Sequence, residues 1–368
     1  MKKASTFLLI AITIISCNRP DFSNPEDVVK HYQELAVKNR YEGLYEDYLS
    51  SKSKELATKD EFIKNRQRAD SIQIKIKNIE QKIIAYPTDI NKASYRRFNV
   101  LSTILFEKDT IKANYYYTLI NENGNWKIIW TSTLHSFADK KFSQGNYAEA
   151  RATLEKIIEI DPFNGKAYGY LAWVYQRDRS LPDKERENGI MKNAKYALTL
   201  EENNPTHYNT MATYFRTVNN PDLAIQYLER GLPYCTDHYK KATFYSNISL
   251  DYLTLKNYAK AEEAIKKAIE IRANYTFAWY RYGLIMQNQG KNDTAMVYLE
   301  KAISLPEMDN ALQHRLYYCY AHCCYESDKC NTAKEYITKA LDLDPSNEDY
   351  QSLYAQLKYC KERNMAND

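Results

Sequence analysis

Four of the seven cysteines, Cys319, Cys323, Cys324 and Cys330, lie close together near the C-terminal end of a chain of 368 residues. Four thiolates can hold a structural zinc ion. This group lacks the paired Cys-x2-Cys knuckles of such sites, and Cys323 and Cys324 point in different directions on one helix. The expectation is therefore small buried cysteines in a helix stack and no metal. In an oxidising compartment, Cys330 can bridge to Cys323 or to Cys324 across one hairpin. Glycine is scarce, at 9 residues, which suits long helices joined by short turns and leaves little room for glycine-rich phosphate loops. No motif calls for a cofactor. The 51 basic and 47 acidic side chains give a net charge of +4, and loss of Lys2 and Lys3 with a leader would leave 49 − 47 = +2. That balance argues against a nucleic-acid binder, which needs a concentrated basic face.

The chain opens with Met1-Lys2-Lys3 and an uncharged run from Ala4 to Ser16 built around Phe7-Leu8-Leu9-Ile10. The run is 13 residues, short of the ~20 that cross a bilayer as a helix. A basic start, a short apolar stretch and a small residue at its end make a secretory signal, residues 1–16. Ile14-Ile15-Ser16-Cys17 resembles the bacterial lipobox, in which cleavage falls before the cysteine and the thiol then carries lipid. The resemblance implies Cys17 as the lipidated first residue of the mature protein, with residues 17–23 as its tether. Asn18 stands where an aspartate would favour inner-membrane retention, so the outer membrane is the expected location.

Residues 24–130 start with helices and end with strands. Asn24-Pro25-Glu26-Asp27 is a helix start, with a side-chain cap, proline at the first helical position and acids at the positive helix end. Val28, Val29, Tyr32 and Leu35 recur at helical spacing. A short helix is expected over Tyr41 to Tyr48, and Thr58 with Glu61 forms a capping box that opens a third. From Ile72 the period becomes two, and strands are expected from there, over about Tyr95–Phe106, Ile111–Ile120 and Trp126–Trp130. Asn123-Gly124 joins the last two, since both central residues of such a turn need positive φ. The order of elements, with the closing Gly124-Asn125-Trp126-Lys127-Ile128-Ile129, resembles the nuclear transport factor 2-like cone. Enzymes of that superfold use an acid or a histidine inside the cone, which here would be His31 with Asp47, Asp60 or Asp70. No spaced acid–base pair stands out among them, and fold alone does not confer an activity.

From Thr131 onward the sequence repeats. Trp279, Tyr282, Gly283, Met286, Ala295, Leu299 and Ala302 fall at positions 4, 7, 8, 11, 20, 24 and 27 of a 34-residue frame starting at Thr276. This pattern resembles the tetratricopeptide repeat. The same frame gives six repeats, 131–164, 165–204, 205–241, 242–275, 276–313 and 314–347, with the largest excess at Arg177 to Arg186 expected as a loop. Position 8, where paired helices approach most closely, holds Ala138, Ala172, Ala212, Ser249, Gly283 and Ala321. Position 20 holds Ala150, Ile190, Ala224, Ala261, Ala295 and Ala333. A polar capping helix and tail, 348–368, should follow, with Ser346 as its cap and Tyr350, Leu353, Leu357 and Cys360 on its inner face. The fold class expected is mainly α: a solenoid of six hairpins preceded by a small α+β cone.

In such a solenoid the resemblance implies that positions 2, 5, 9 and 12 of the first helices line a concave groove. These include His135, Trp173, Asn209, Arg216, Phe277, Tyr280, Arg315, Tyr318, His322 and Tyr325. An aromatic and basic groove suits an extended or helical peptide. The Lys/Asn/Arg set with which chaperone-binding members hold a C-terminal carboxylate is not reproduced. The expected function is an envelope lipoprotein that holds protein or peptide partners, bound to the membrane through Cys17, and not an enzyme. The alternatives are a SusD-type glycan- or nutrient-binding lipoprotein and a small-molecule enzyme using the cone.

Overall fold

A computed structural model describes residues 21–37, 40–70, 76–85, 95–106, 110–305 and 310–360. Cys17 and the expected leader before it lie outside these residues, as do Ile72, Ile74 and the tail after Cys360. The chain divides into two compact units, residues 1–201 and 202–368.

The first unit begins with α1 (Pro25–Val37), whose first turn is capped by Asn24 Oδ1 accepting from the Glu26 N–H at 3.1 Å. A three-residue helix α2 (Tyr41–Gly43) runs into a π-helical turn over Leu44–Tyr48, followed by α3 (Ser51–Leu56) and α4 (Lys59–Asp70). The expected capping box closes α4: Glu61 Oε2 accepts from the Thr58 N–H at 2.9 Å, and Thr58 Oγ1 from the Glu61 N–H at 3.3 Å. Strands β1 (Ile76–Ala85), β2 (Tyr95–Phe106), β3 (Thr110–Glu122) and β4 (Asn125–Ile128) form an antiparallel sheet in the order β1-β2-β3-β4. Asn123 and Gly124 take φ of 54° and 86°, as the hairpin requires. Val28, Val29, Tyr32, Leu44, Tyr48 and Phe62 from the helices pack on Val100, Leu119, Trp126 and Ile128 from the sheet.

Two helix hairpins belong to the same unit, α5 (Ser132–Ser143) with α6 (Tyr147–Ile160) and α7 (Gly165–Arg177) with α8 (Asp183–Leu200). The excess residues of the second repeat are only partly loop. Residues 178–182 connect the helices, and the remainder lengthens α8 to 18 residues, with Asp183 and Glu185 favouring its positive end. This shift in phase explains the large residue at position 20. The close approach is made by Gly189, where a Cβ would come within 2.4 Å of the Tyr175 ring, and not by Ile190.

The second unit contains α9 (Pro205–Thr217) with α10 (Pro221–Gly231), α11 (His238–Thr254) with α12 (Tyr258–Ile271), α13 (Thr276–Asn288) with α14 (Asn292–Ile303), α15 (Asn310–Glu326) with α16 (Cys330–Leu343), and then α17 (Glu348–Gln356). The expected six hairpins and capping helix are therefore present. Every position-8 residue is buried, and at Gly283 a Cβ would meet the Leu299 side chain at 2.6 Å. Each hairpin except the second turns through a left-handed residue at position 15, namely Gly145, Asn219, Lys256, Gly290 and Asp328. The cap of α17 is Asn347, which accepts from the N–H groups of Asp349 and Tyr350, and not Ser346, whose hydroxyl turns back to Asp344.

Cys330 is bonded to Cys360, with a Cα–Cα distance of 5.9 Å. This replaces the expected partners Cys323 and Cys324. Both of those lie fully buried on α15 against the core, while Cys330 opens α16, where the chain end beyond α17 reaches it. Among the described residues no three His, Cys, Asp or Glu side chains come together as a metal site, and no helix is long and apolar enough to cross a membrane.

Candidate partner-binding groove

In the second unit the first helices of successive hairpins, α9, α11, α13, α15 and then α17, touch along one face. Asn247 donates to Asn209 Oδ1 at 2.7 Å. Arg216 grips Asp251 through both Nε and Nη2, at 2.5 and 2.9 Å. Arg281 Nη1 donates to Ser246 Oγ at 2.8 Å and to Asn247 Oδ1 at 2.9 Å. Gln287 meets His322 Nδ1 at 3.2 Å, and Tyr350 meets His314 Nδ1 at 2.9 Å while its ring stacks on Tyr318 at 4.8 Å. These partners lie 32 to 38 residues apart, about one repeat, so each contact joins equivalent stretches of neighbouring first helices.

The electrostatics of this face are uneven. Asp251 is fully buried, and burial pushes its carboxyl up from the usual range against the pull of Arg216. Both of its oxygens are engaged by the Arg216 fork, the bidentate geometry that makes such pairs strong. Arg281 has no carboxylate within salt-bridge distance among the described residues, and burial lowers its guanidinium to about 10. Two arginines therefore face one acid.

Most of the side chains expected in a groove lie on or near this ladder. Asn209, Arg216, Tyr318, His322 and Tyr325 are half-buried and Arg315 is exposed. Phe277 is half-buried and packs beside Tyr275. Tyr280 is 6% exposed, with its hydroxyl accepting from Cys319 at 3.8 Å, so it supports the face from beneath instead of lining it. Asn247, Asp251 and Arg281 were not anticipated, because they occupy positions 6, 10 and 6 of the repeat. A charged residue amid the apolar residues of a first helix was the signal that could have found them.

The remaining candidates lie in the first unit. Trp173 on α7 is 40% exposed and packs on Phe142 at 4.3 Å and on Tyr170 at 5.5 Å. His135 is a correction: it is 6% exposed, its Nδ1 lacks a partner among the described residues, and burial lowers it to about 4, so it is core. Its ring sits beside Asn164 and Lys166 at the start of α7 and near Glu201. Arg97 on β2 pairs with Glu201 at 3.0 Å, both side chains 5% exposed. Asp161, after α6, is buried beside Arg97, accepts from Thr118, Asn164 and the Phe163 N–H, and is raised chiefly by that burial. Tyr95, Ile120, Ile129, Phe163 and Leu200 close the seam. Among the N-terminal helices, His31 hydrogen-bonds the Tyr48 hydroxyl, whereas Asp47 and Asp60 are exposed and Asp70 ends α4.

Residues 134–164, 242–275, 278–307 and 314–347 match the tetratricopeptide repeat model, so the chain carries tetratricopeptide repeats. The matched spans omit the second and third hairpins. No curated protein matches the sequence. Among solved structures, PilW, a widely conserved type IV pilus biogenesis factor, is similar in fold, with a TM-score of 0.52 at 17% identity over 61% of this chain and 97% of that one. PilF of Pseudomonas aeruginosa gives a TM-score of 0.48 at 18% identity over 61% of this chain and 97% of that one. YrrB, described as a TPR protein with an unusual peptide-binding site, gives 0.37 at 16% identity over 54% of this chain and 96% of that one.

Proposed function

We propose that this chain is a lipid-anchored scaffold of the bacterial envelope, without catalytic activity of its own, that holds protein or peptide partners on the first-helix face of its tetratricopeptide repeats. The observation that carries the reading is the ladder from Asn209 to Tyr350, where half-buried Asn209, Arg216, Arg281, His314, Tyr318 and His322 are held by partners on successive first helices. A repeat face built only for packing would bury apolar groups there, as position 10 does with Ile285 on α13, where α11 carries Asp251. Cys17 supplies the anchor in this reading. The Cys330–Cys360 bond supports export, because disulfides persist in oxidising compartments. Replacement of Cys17 by Ala should move the chain from the membrane fraction to the soluble fraction. Unchanged fractionation would remove the anchor from the account. An outer-membrane position predicts that the wild-type chain fractionates with outer-membrane porins on a sucrose gradient.

A further inference from the structure

The surplus charge on the ladder points to the chemistry of the partner. Arg216, Arg281 and Arg315 lie on α9, α13 and α15, and the buried acid among them, Asp251, is already consumed by Arg216. Arg281 uses only Nη1, on neutral oxygens of Ser246 and Asn247; its Nε and Nη2 bond to no described residue and are not sealed from solvent. A half-buried guanidinium with two unused donors is prepared for a bidentate anion, and a carboxylate matches the fork. Arg315 is exposed one first helix further on, with the half-buried Tyr318 one turn along the same helix. The positive stretch ends at Asp349 on α17.

We propose that this face binds an extended acidic segment of a protein partner, with one of its carboxylates on Arg281 and a second on Arg315. The proposal rests on the reading that the repeats hold partners, and it adds what kind. The Asn209 amide NH2, whose carbonyl is occupied by Asn247, is left for a peptide carbonyl.

The test uses the full chain in detergent and labelled decapeptides of alternating Glu and Ala, Gln and Ala, or Lys and Ala, read by fluorescence anisotropy. The Glu peptide should bind at least about tenfold more tightly than the Gln peptide, and the Lys peptide not at all. Its affinity should fall with added salt. Arg281→Gln should lose about tenfold or more, and Arg281→Lys less, because it keeps charge without the fork. If Arg281→Gln does not fold, the exposed Arg315→Ser decides, with an expected loss of about threefold to tenfold. Equal binding of the Glu and Gln peptides, undiminished binding by a folded Arg281→Gln or by Arg315→Ser, or tighter binding of an oligonucleotide of equal charge would each overturn the proposal. If a natural partner crosslinks to Tyr318 while the Glu peptide does not bind, only the acidic chemistry fails. If nothing crosslinks there, the groove reading fails with it.

Discussion

At the edge of the sheet, Arg97 meets two buried acids, Glu201 and Asp161; among the first helices of the second unit, Arg216 and Arg281 meet one, Asp251. The first cluster is sealed, and no outside ion can reach it, so it must settle its charge internally. It does so by pairing Arg97 with Glu201 while burial drives Asp161 towards its neutral form. The second cluster is less closed, with Arg216 and Arg281 only half-buried, and keeps a positive excess. The same residue types thus serve a seam in one unit and the proposed binding face in the other. What separates them is access, together with the ratio of acids to arginines.

The largest expected effect would break the sealed cluster. Arg97→Ala or Glu201→Ala leaves one buried charge alone and should cost about 3–5 kcal/mol in urea unfolding. The double variant Arg97→Met with Glu201→Leu should recover most of that loss, because the pair's own desolvation disappears with it. A single-variant loss under about 1 kcal/mol would mean that the seam does not depend on this pair.

His135 tests the same seam by pH. Its folded pKa of about 4 lies below the unfolded value near 6.5, so the unfolded chain takes the proton first. Stability is full above about pH 6.5 and falls as the pH drops towards about 4, by about 3 kcal/mol in all. His135→Gln should flatten this limb of the curve, and an unchanged slope would contradict burial of the ring.

The open cluster should respond less. Arg216→Ala should cost about 2 kcal/mol near neutral pH, because it strands buried Asp251. The cost should shrink as the pH falls and that carboxyl takes a proton. Arg281→Gln should cost less than about 1 kcal/mol, since its hydrogen-bond partners are neutral. Equal losses from the two would erase the distinction between a structural arginine and a binding one. The smallest effect is a gain. Lys256 holds φ at 56°, a conformation that opposes its Cβ, and Lys256→Gly should stabilise the second unit by about 0.5–1 kcal/mol.

The repeats were legible because their packing rule is local: a hairpin needs small residues at positions 8 and 20, and ten of those twelve positions hold Ala or Gly. The capping box at Thr58 and the Asn123-Gly124 hairpin were legible for the same reason. The shared turn at position 15 was hidden, since Lys256 and Asp328 do not advertise positive φ. The seam was hidden by distance along the chain, as Arg97 and Glu201 are 104 residues apart. His135 was misread as groove because nothing in its own helix shows that Asn164, Lys166 and Glu201 close over it. Cys330 was assigned a neighbour in sequence when its partner comes from the end of the capping helix.

The account depends most on which face of the repeats meets a partner. A photocrosslinking residue placed at Tyr318 on α15 and, separately, at Lys334 on the exposed side of α16 compares the two faces within one hairpin in living cells. Discrete crosslinked products from position 318 and none from position 334 are the expected result. Products from position 334 alone, or the same products from both positions, would contradict a partner held in the groove.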